Sequence, residues 1–74
     1  MTLLEKLQVV KAKIDEEHLG YDVEIDEPEK TVLVKMVCEK KKTMPVVRAV
    51  VGSSAADSIA TMRVSRRGLE IVLS

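Results

Sequence analysis

The stretch Gly52-Ser53-Ser54-Ala55-Ala56-Asp57-Ser58-Ile59-Ala60-Thr61-Met62-Arg63-Val64-Ser65-Arg66-Arg67-Gly68-Leu69-Glu70-Ile71-Val72-Leu73-Ser74 decides the fold, because it supports two incompatible readings. In the first, Ser54 caps a second helix over residues 54–67, with Asp57 three residues on in the manner of a capping box. Ile59, Ala60 and Met62 then supply its apolar side, Arg66 and Arg67 meet the negative end of its dipole, and Gly68 stops it. Leu69 to Leu73, apolar almost throughout, follows as a buried central strand. In the alternative, residues 59–65 and 69–74 form a C-terminal β-hairpin around Arg66-Arg67-Gly68, a three-residue loop with glycine last. The helix is the leading expectation and the hairpin its rival.

Upstream of this stretch, Val46, Val47, Val50 and Val51 follow Pro45, and branched side chains of this kind favour a third strand. Pro45 sends that strand to the rim of the sheet, which makes the four valines a candidate self-association edge. Glu39 to Thr43 reads as a charged loop. At the other end of the chain, Thr2-Leu3-Leu4-Glu5 fits a capping box. Leu3, Leu7, Val10 and Ile14 continue as the apolar stripe of a helix that Gly20 is placed to end. Tyr21, Val23 and Ile25 alternate with Asp22, Glu24 and Asp26, the period of a strand with one wet face. Glu27-Pro28-Glu29-Lys30 is a turn, and Thr31 to Glu39 a second strand paired with the first. The expected order is α-β-β-β-α-β, one α+β domain over residues 1–74 with two helices on one face of a mostly antiparallel sheet.

A chain of 74 residues has little core to spare. Area scaling gives a hydrophobic gain of about 110 kcal/mol on folding, and ordering the chain costs about the same. Small domains close such a balance with disulfides, metals or self-association. Cys38 is the only cysteine and His18 the only histidine, so neither an intrachain disulfide nor a zinc tetrad of these residues can form. Association is the device left. The apolar residues are nearly all aliphatic, with twelve Val and seven Leu against one ring, Tyr21. Stacking of unpaired bases on aromatic platforms is thereby disfavoured, whereas contact with a duplex backbone is not. The first residues lack the apolar run of a secretory signal, no segment reaches the ~20 apolar residues of a membrane span, and a lone thiol suits a reducing compartment. A cytoplasmic protein is expected.

Charge is sorted along the chain: residues 1–34 carry four Lys and nine Asp/Glu, and residues 35–74 carry eight Lys/Arg and three acids. Separated blocks of sign steer association even where the total cancels. Lys40, Lys41, Lys42, Arg48, Arg63, Arg66 and Arg67 are the candidate phosphate or nucleic-acid contacts, set against the plainer reading of a solubilising loop and helix-end charges. The acids Asp22, Glu24, Asp26, Glu27 and Glu29 do not match a calcium loop, and carboxylates alternating along a strand project in a row. Cys38 falls on the apolar side of its strand, as small buried hydrophobes do, and His18 near a helix end suits the dipole. Gly52-Ser53-Ser54 resembles an anion nest but lacks a Walker lysine.

No catalytic constellation emerges, and no cofactor or metal is expected. The reading that follows is a non-enzymatic protein-binding or self-assembly module of adaptor or regulatory type. It acts as a homo-oligomer or on a protein partner, without a membrane. The alternative is a protein that binds nucleic-acid backbone through its basic half.

Overall fold

The Thr2 hydroxyl accepts the Glu5 N–H at 3.2 Å, and the Glu5 carboxylate accepts the Thr2 N–H at 3.3 Å. This reciprocal cap opens helix α1, Leu3–Glu16, in a computed structural model that describes residues 1–74. Leu7, Val10 and Ile14, one helical turn apart, are the residues it buries. The helix stops before Gly20: His18 takes the first positive φ, at 53°, and Gly20 follows at 79°. The chain then enters β1, Asp22–Asp26, and returns through the Pro28 turn as β2, Thr31–Lys35. Their antiparallel register sets Asp22 opposite Lys35 and Ile25 opposite Val32.

Two expectations are corrected beyond this point. The second strand ends at Lys35 instead of Glu39, and the segment expected as a loop and third strand is helix α2, Lys40–Val51. Val46, Ala49 and Val50 are spaced three and one apart, lie on one side of that helix and are buried. That periodic apolar face outweighs the β-preference of valine, which is a measure of fit to a pleated surface more than a backbone rule. Pro45 sits midway along the helix and removes one N–H donor there. The proposed valine edge therefore does not exist: Val46 and Val50 are fully buried helix residues, Val47 is half-buried and Val51 exposed.

The second correction concerns residues 54–67. They form no helix; the capping signal at Ser54 and Asp57 leads only into a single 3₁₀ turn, Ala56–Ser58. Strand β3, Ile59–Ser65, and strand β4, Gly68–Leu73, then make the C-terminal hairpin of the rival reading. Its loop is shorter than expected, Arg66-Arg67 alone, because Gly68 already pairs with Ser65. Gly68 has φ 140°, and a Cβ at this position would overlap the Val34 carbonyl oxygen and stand 2.9 Å from the Met36 nitrogen. Only glycine fits there.

The observed order is α-β-β-α-β-β, and the four strands lie β1-β2-β4-β3, antiparallel throughout. The class is α+β with both helices on one face of the sheet. Val32, Val34, Leu69, Ile71 and Leu73 meet Leu7, Val10, Ile14, Val46 and Val50 in one core, so β4 is the central apolar strand its sequence suggested. Edge positions fall to β1 and β3.

Candidate functional site

The register separates the sheet into an inner face under the helices and an open face. Asp22, Glu24 and Asp26 of β1, Thr31, Leu33 and Lys35 of β2, Glu70 and Val72 of β4, and Thr61, Arg63 and Ser65 of β3 occupy the open face. Leu33 is only 4% exposed there, because longer polar side chains close around it. Glu24, Asp26, Glu29, Arg63, Arg67 and Glu70 help enclose a shallow hollow of about 440 Å³ above Leu33 and Thr31.

The sorted charges of the sequence meet on this face. Lys35 Nζ lies 2.6 Å from Glu24 Oε1, Arg67 Nη2 lies 3.6 Å from Glu24 Oε2, and Arg63 Nε donates to Glu70 Oε1 at 2.8 Å. A hydrogen bond from Lys35 holds the Glu24 carboxyl below the usual glutamate range, and hydrogen bonds from Arg63 and then Ser65 do the same for Glu70. Glu24 alone joins the two blocks, through Lys35 and Arg67, while Arg63 and Glu70 both belong to the second, so the asymmetry that pointed to partners is answered at this one carboxylate.

The basic candidates do not converge on one surface. Lys40, Lys41 and Lys42 form the first turn of α2, which has no acidic residue and no side-chain cap from Glu39. Lys42 approaches Glu39 at 4.0 Å. Arg66 and Arg67 lie at the same end of the molecule, since Gly68 abuts Val34 and Met36, just before the segment leading to Lys40. Arg63 sits on the open sheet face, and Arg48 on α2 borders Lys13 of α1 and Glu17, the residue that caps it. Cys38 has left the sheet but still packs against the core; its Sγ lies 4.0 Å from the Met36 carbonyl oxygen. His18 borders Ile14, Tyr21 and Gly20, with no hydrogen bond to Cys38. No group of three metal-binding side chains converges, and no helix is long and apolar enough to cross a membrane. Gly52 and Ser53 close α2 instead of opening a helix: Ser53 donates its hydroxyl to the Val50 carbonyl at 2.7 Å.

What the sequence reading missed is the β3 edge. The Leu73 N–H donates to Lys30 on the β2 side, and the Ser74 N–H donates to Ser58 on the β3 side, both at 2.8 Å. Alternation along β4 then turns the main-chain groups of Glu70 and Val72 toward β3, to bond their partners Arg63 and Thr61. Met62 and Val64 stand opposite Ile71 and Leu69 and present their N–H and C=O groups outward. The Val64 side chain is 66% exposed, on the helix side of the sheet but beyond the cover of the helices. The signal for this edge was present as Ile59, Thr61 and Val64, which are β-branched and interleaved with few charges.

The two edges differ in chemistry. Strand β1 carries an acid at every second residue, Asp22, Glu24 and Asp26, which guards it against strand addition. Strand β3 is longer, with seven residues, and has a single charge, Arg63, already paired with Glu70. Its only guard is the irregularity between Ile59 and Thr61. Comparison with known proteins finds no matching family model, no matching curated protein and no matching solved structure.

Proposed function

We propose that this chain is a non-enzymatic protein-binding module whose binding element is the open edge of β3. The observation that carries the reading is the outward row of Met62 and Val64 main-chain groups on a seven-residue strand with one neutralised charge. Such an edge adds an extended segment by the hydrogen bonding that joins strands within a sheet, and alternate side chains set the choice of partner. The acidic β1 edge leaves one side of the sheet for this purpose. Panning a random heptapeptide library on the immobilised chain tests it. Enriched peptides should be rich in β-branched residues and should be lost on Val64→Pro, which removes an outward donor without touching the β4 ladder. Peptides that bind Val64→Pro equally well contradict the reading.

One observation favours a second reading, contact with phosphate backbones: the Arg66-Arg67 turn and the Lys40–Lys42 turn occupy the same end of the molecule. That reading expects affinity for duplex DNA or RNA that falls steeply with salt and drops in Arg66→Glu, Arg67→Glu for every sequence alike. Salt-insensitive binding contradicts it.

A further inference from the structure

We infer that the partner of the β3 edge is an extended peptide running antiparallel to β3, apolar opposite Val64 and Met62 and acidic at its N-terminal end, where it meets Arg66 and Lys40. The inference rests on the proposed role of the β3 edge and names the chemistry of its partner.

The joint is short. The irregularity between Ile59 and Thr61 breaks the alternation of outward main-chain groups, so the added strand begins at Met62 and runs on past Val64. In an antiparallel pair each of these two residues exchanges both its N–H and its C=O with the residue directly opposite, whose side chain stands on the same face. Met62 and Val64 share the helix side of the sheet with their partners Ile71 and Leu69. The peptide residues opposite them therefore enter that face, where Val64 is open to solvent.

Helix α2 supplies an apolar wall on the same side. Lys40, Met44, Val47 and Val51, spaced four, three and four, form one stripe along it. The other flank of α2, at Pro45 and Arg48, borders Lys13 of α1. Helix α1 packs on β1, β2 and β4, and α2 lies beside it with Val46 and Val50 in the core beside Leu69 and Ile71. With the strands in the order β1-β2-β4-β3, the stripe falls on the β3 side of the molecule. Met44 and Val51 are exposed and Val47 half-buried, so apolar peptide side chains seated there take apolar surface of both elements out of water.

Charge fixes the direction. Arg66 follows β3, and Lys40 opens α2 at the same end of the molecule; both are exposed and neither has an ion-pair partner. Glu39, next to Lys40, is answered by Lys42 at 4.0 Å. Asp57, which precedes β3 at its other end, is likewise exposed and unpaired. An acidic segment is therefore drawn to one end of the edge and repelled from the other. In the antiparallel orientation, the more stable per residue, the end at Arg66 receives the N-terminal part of the peptide.

Fluorescence anisotropy on the full chain tests this with three labelled peptides that share one alternating valine–threonine core. The first carries two glutamates at its N-terminal end, the second the same two at its C-terminal end, and the third two lysines at its N-terminal end. Circular dichroism melts confirm that each protein variant stays folded. The first peptide should bind about three- to tenfold more tightly than either of the others, the range for two exposed ion pairs, and the gap should close in high salt. Combining Lys40→Glu with Arg66→Glu should reverse the order of the first and third peptides. All three should be lost on Val64→Pro. Equal affinity for the first two peptides, or tighter binding of the second, overturns the polarity. A preference for glutamate over lysine that persists in the double variant overturns the role of Lys40 and Arg66. Failure of every peptide to bind, or binding that survives Val64→Pro, overturns the reading of β3 itself and this inference with it.

Discussion

Replacing Gly68 with alanine should remove a large share of the stability of this domain. The residue sits at φ 140°, where an L side chain is strained by about 1–3 kcal/mol. Its Cβ would also overlap the Val34 carbonyl oxygen and crowd the Met36 nitrogen, both of them backbone atoms that yield only if β2 moves. Overpacking of this sort adds a further cost of about 1–3 kcal/mol, so the sum is about 2–6 kcal/mol. A domain of this length is stable by about 4–11 kcal/mol in all. Gly20→Ala is the control: φ is also positive, at 79°, but nothing lies within 4 Å of the added carbon, and the cost should stay near the ~1–2 kcal/mol of a left-handed residue. Urea titration followed by far-ultraviolet circular dichroism measures both, as a shift in midpoint at constant slope. Equal costs at the two glycines would refute the argument from close approach.

The other predictions concern the core and the charged face. Ile71→Ala empties a fully buried site on the central strand and should cost about 2–5 kcal/mol in the same titration. Glu24 and Glu70 have lowered folded-state pKa values, so the stability they contribute is present at neutral pH and is lost as pH falls through those values, below the usual glutamate range. Glu70→Gln should therefore flatten the acid limb of a plot of urea midpoint against pH, whereas an unchanged limb would show that the Arg63 pair contributes nothing there.

The parts of this fold that could be read from the sequence are those where local and long-range preferences agree. Thr2 and Glu5 both cap and start α1, the stripe of Leu7, Val10 and Ile14 has the helical period, and Val23 and Ile25 alternate with acids as an edge strand must. Leu69, Ile71 and Leu73 are apolar because that face of β4, the strand between β2 and β3, lies under the helices. Where preferences conflict, local reading failed. The valines after Pro45 have strand character, but the burial of Val46, Ala49 and Val50 against α1 and the sheet imposes a helix. Ser54 and Asp57 supply a helix start without the periodic apolar face to extend it, so Ile59 to Ser65 pairs with β4 instead. The candidate site followed these errors. An open, weakly charged edge was anticipated but placed on the valines, and it belongs to β3 because the hairpin puts that strand outermost. The charge sorting was visible in full; its resolution through Glu24, Lys35 and Arg67 depends on strand order, which no local pattern encodes.

Amide hydrogen exchange along β3 reads directly whether this strand is an open edge that another strand closes. Thr61 and Arg63, bonded to β4, should be protected at every protein concentration. Met62 and Val64 should exchange freely in the chain alone and become protected when a peptide selected on the β3 edge is added. Protection of Met62 and Val64 in the chain alone, or free exchange of both with the peptide bound, would contradict strand addition at β3.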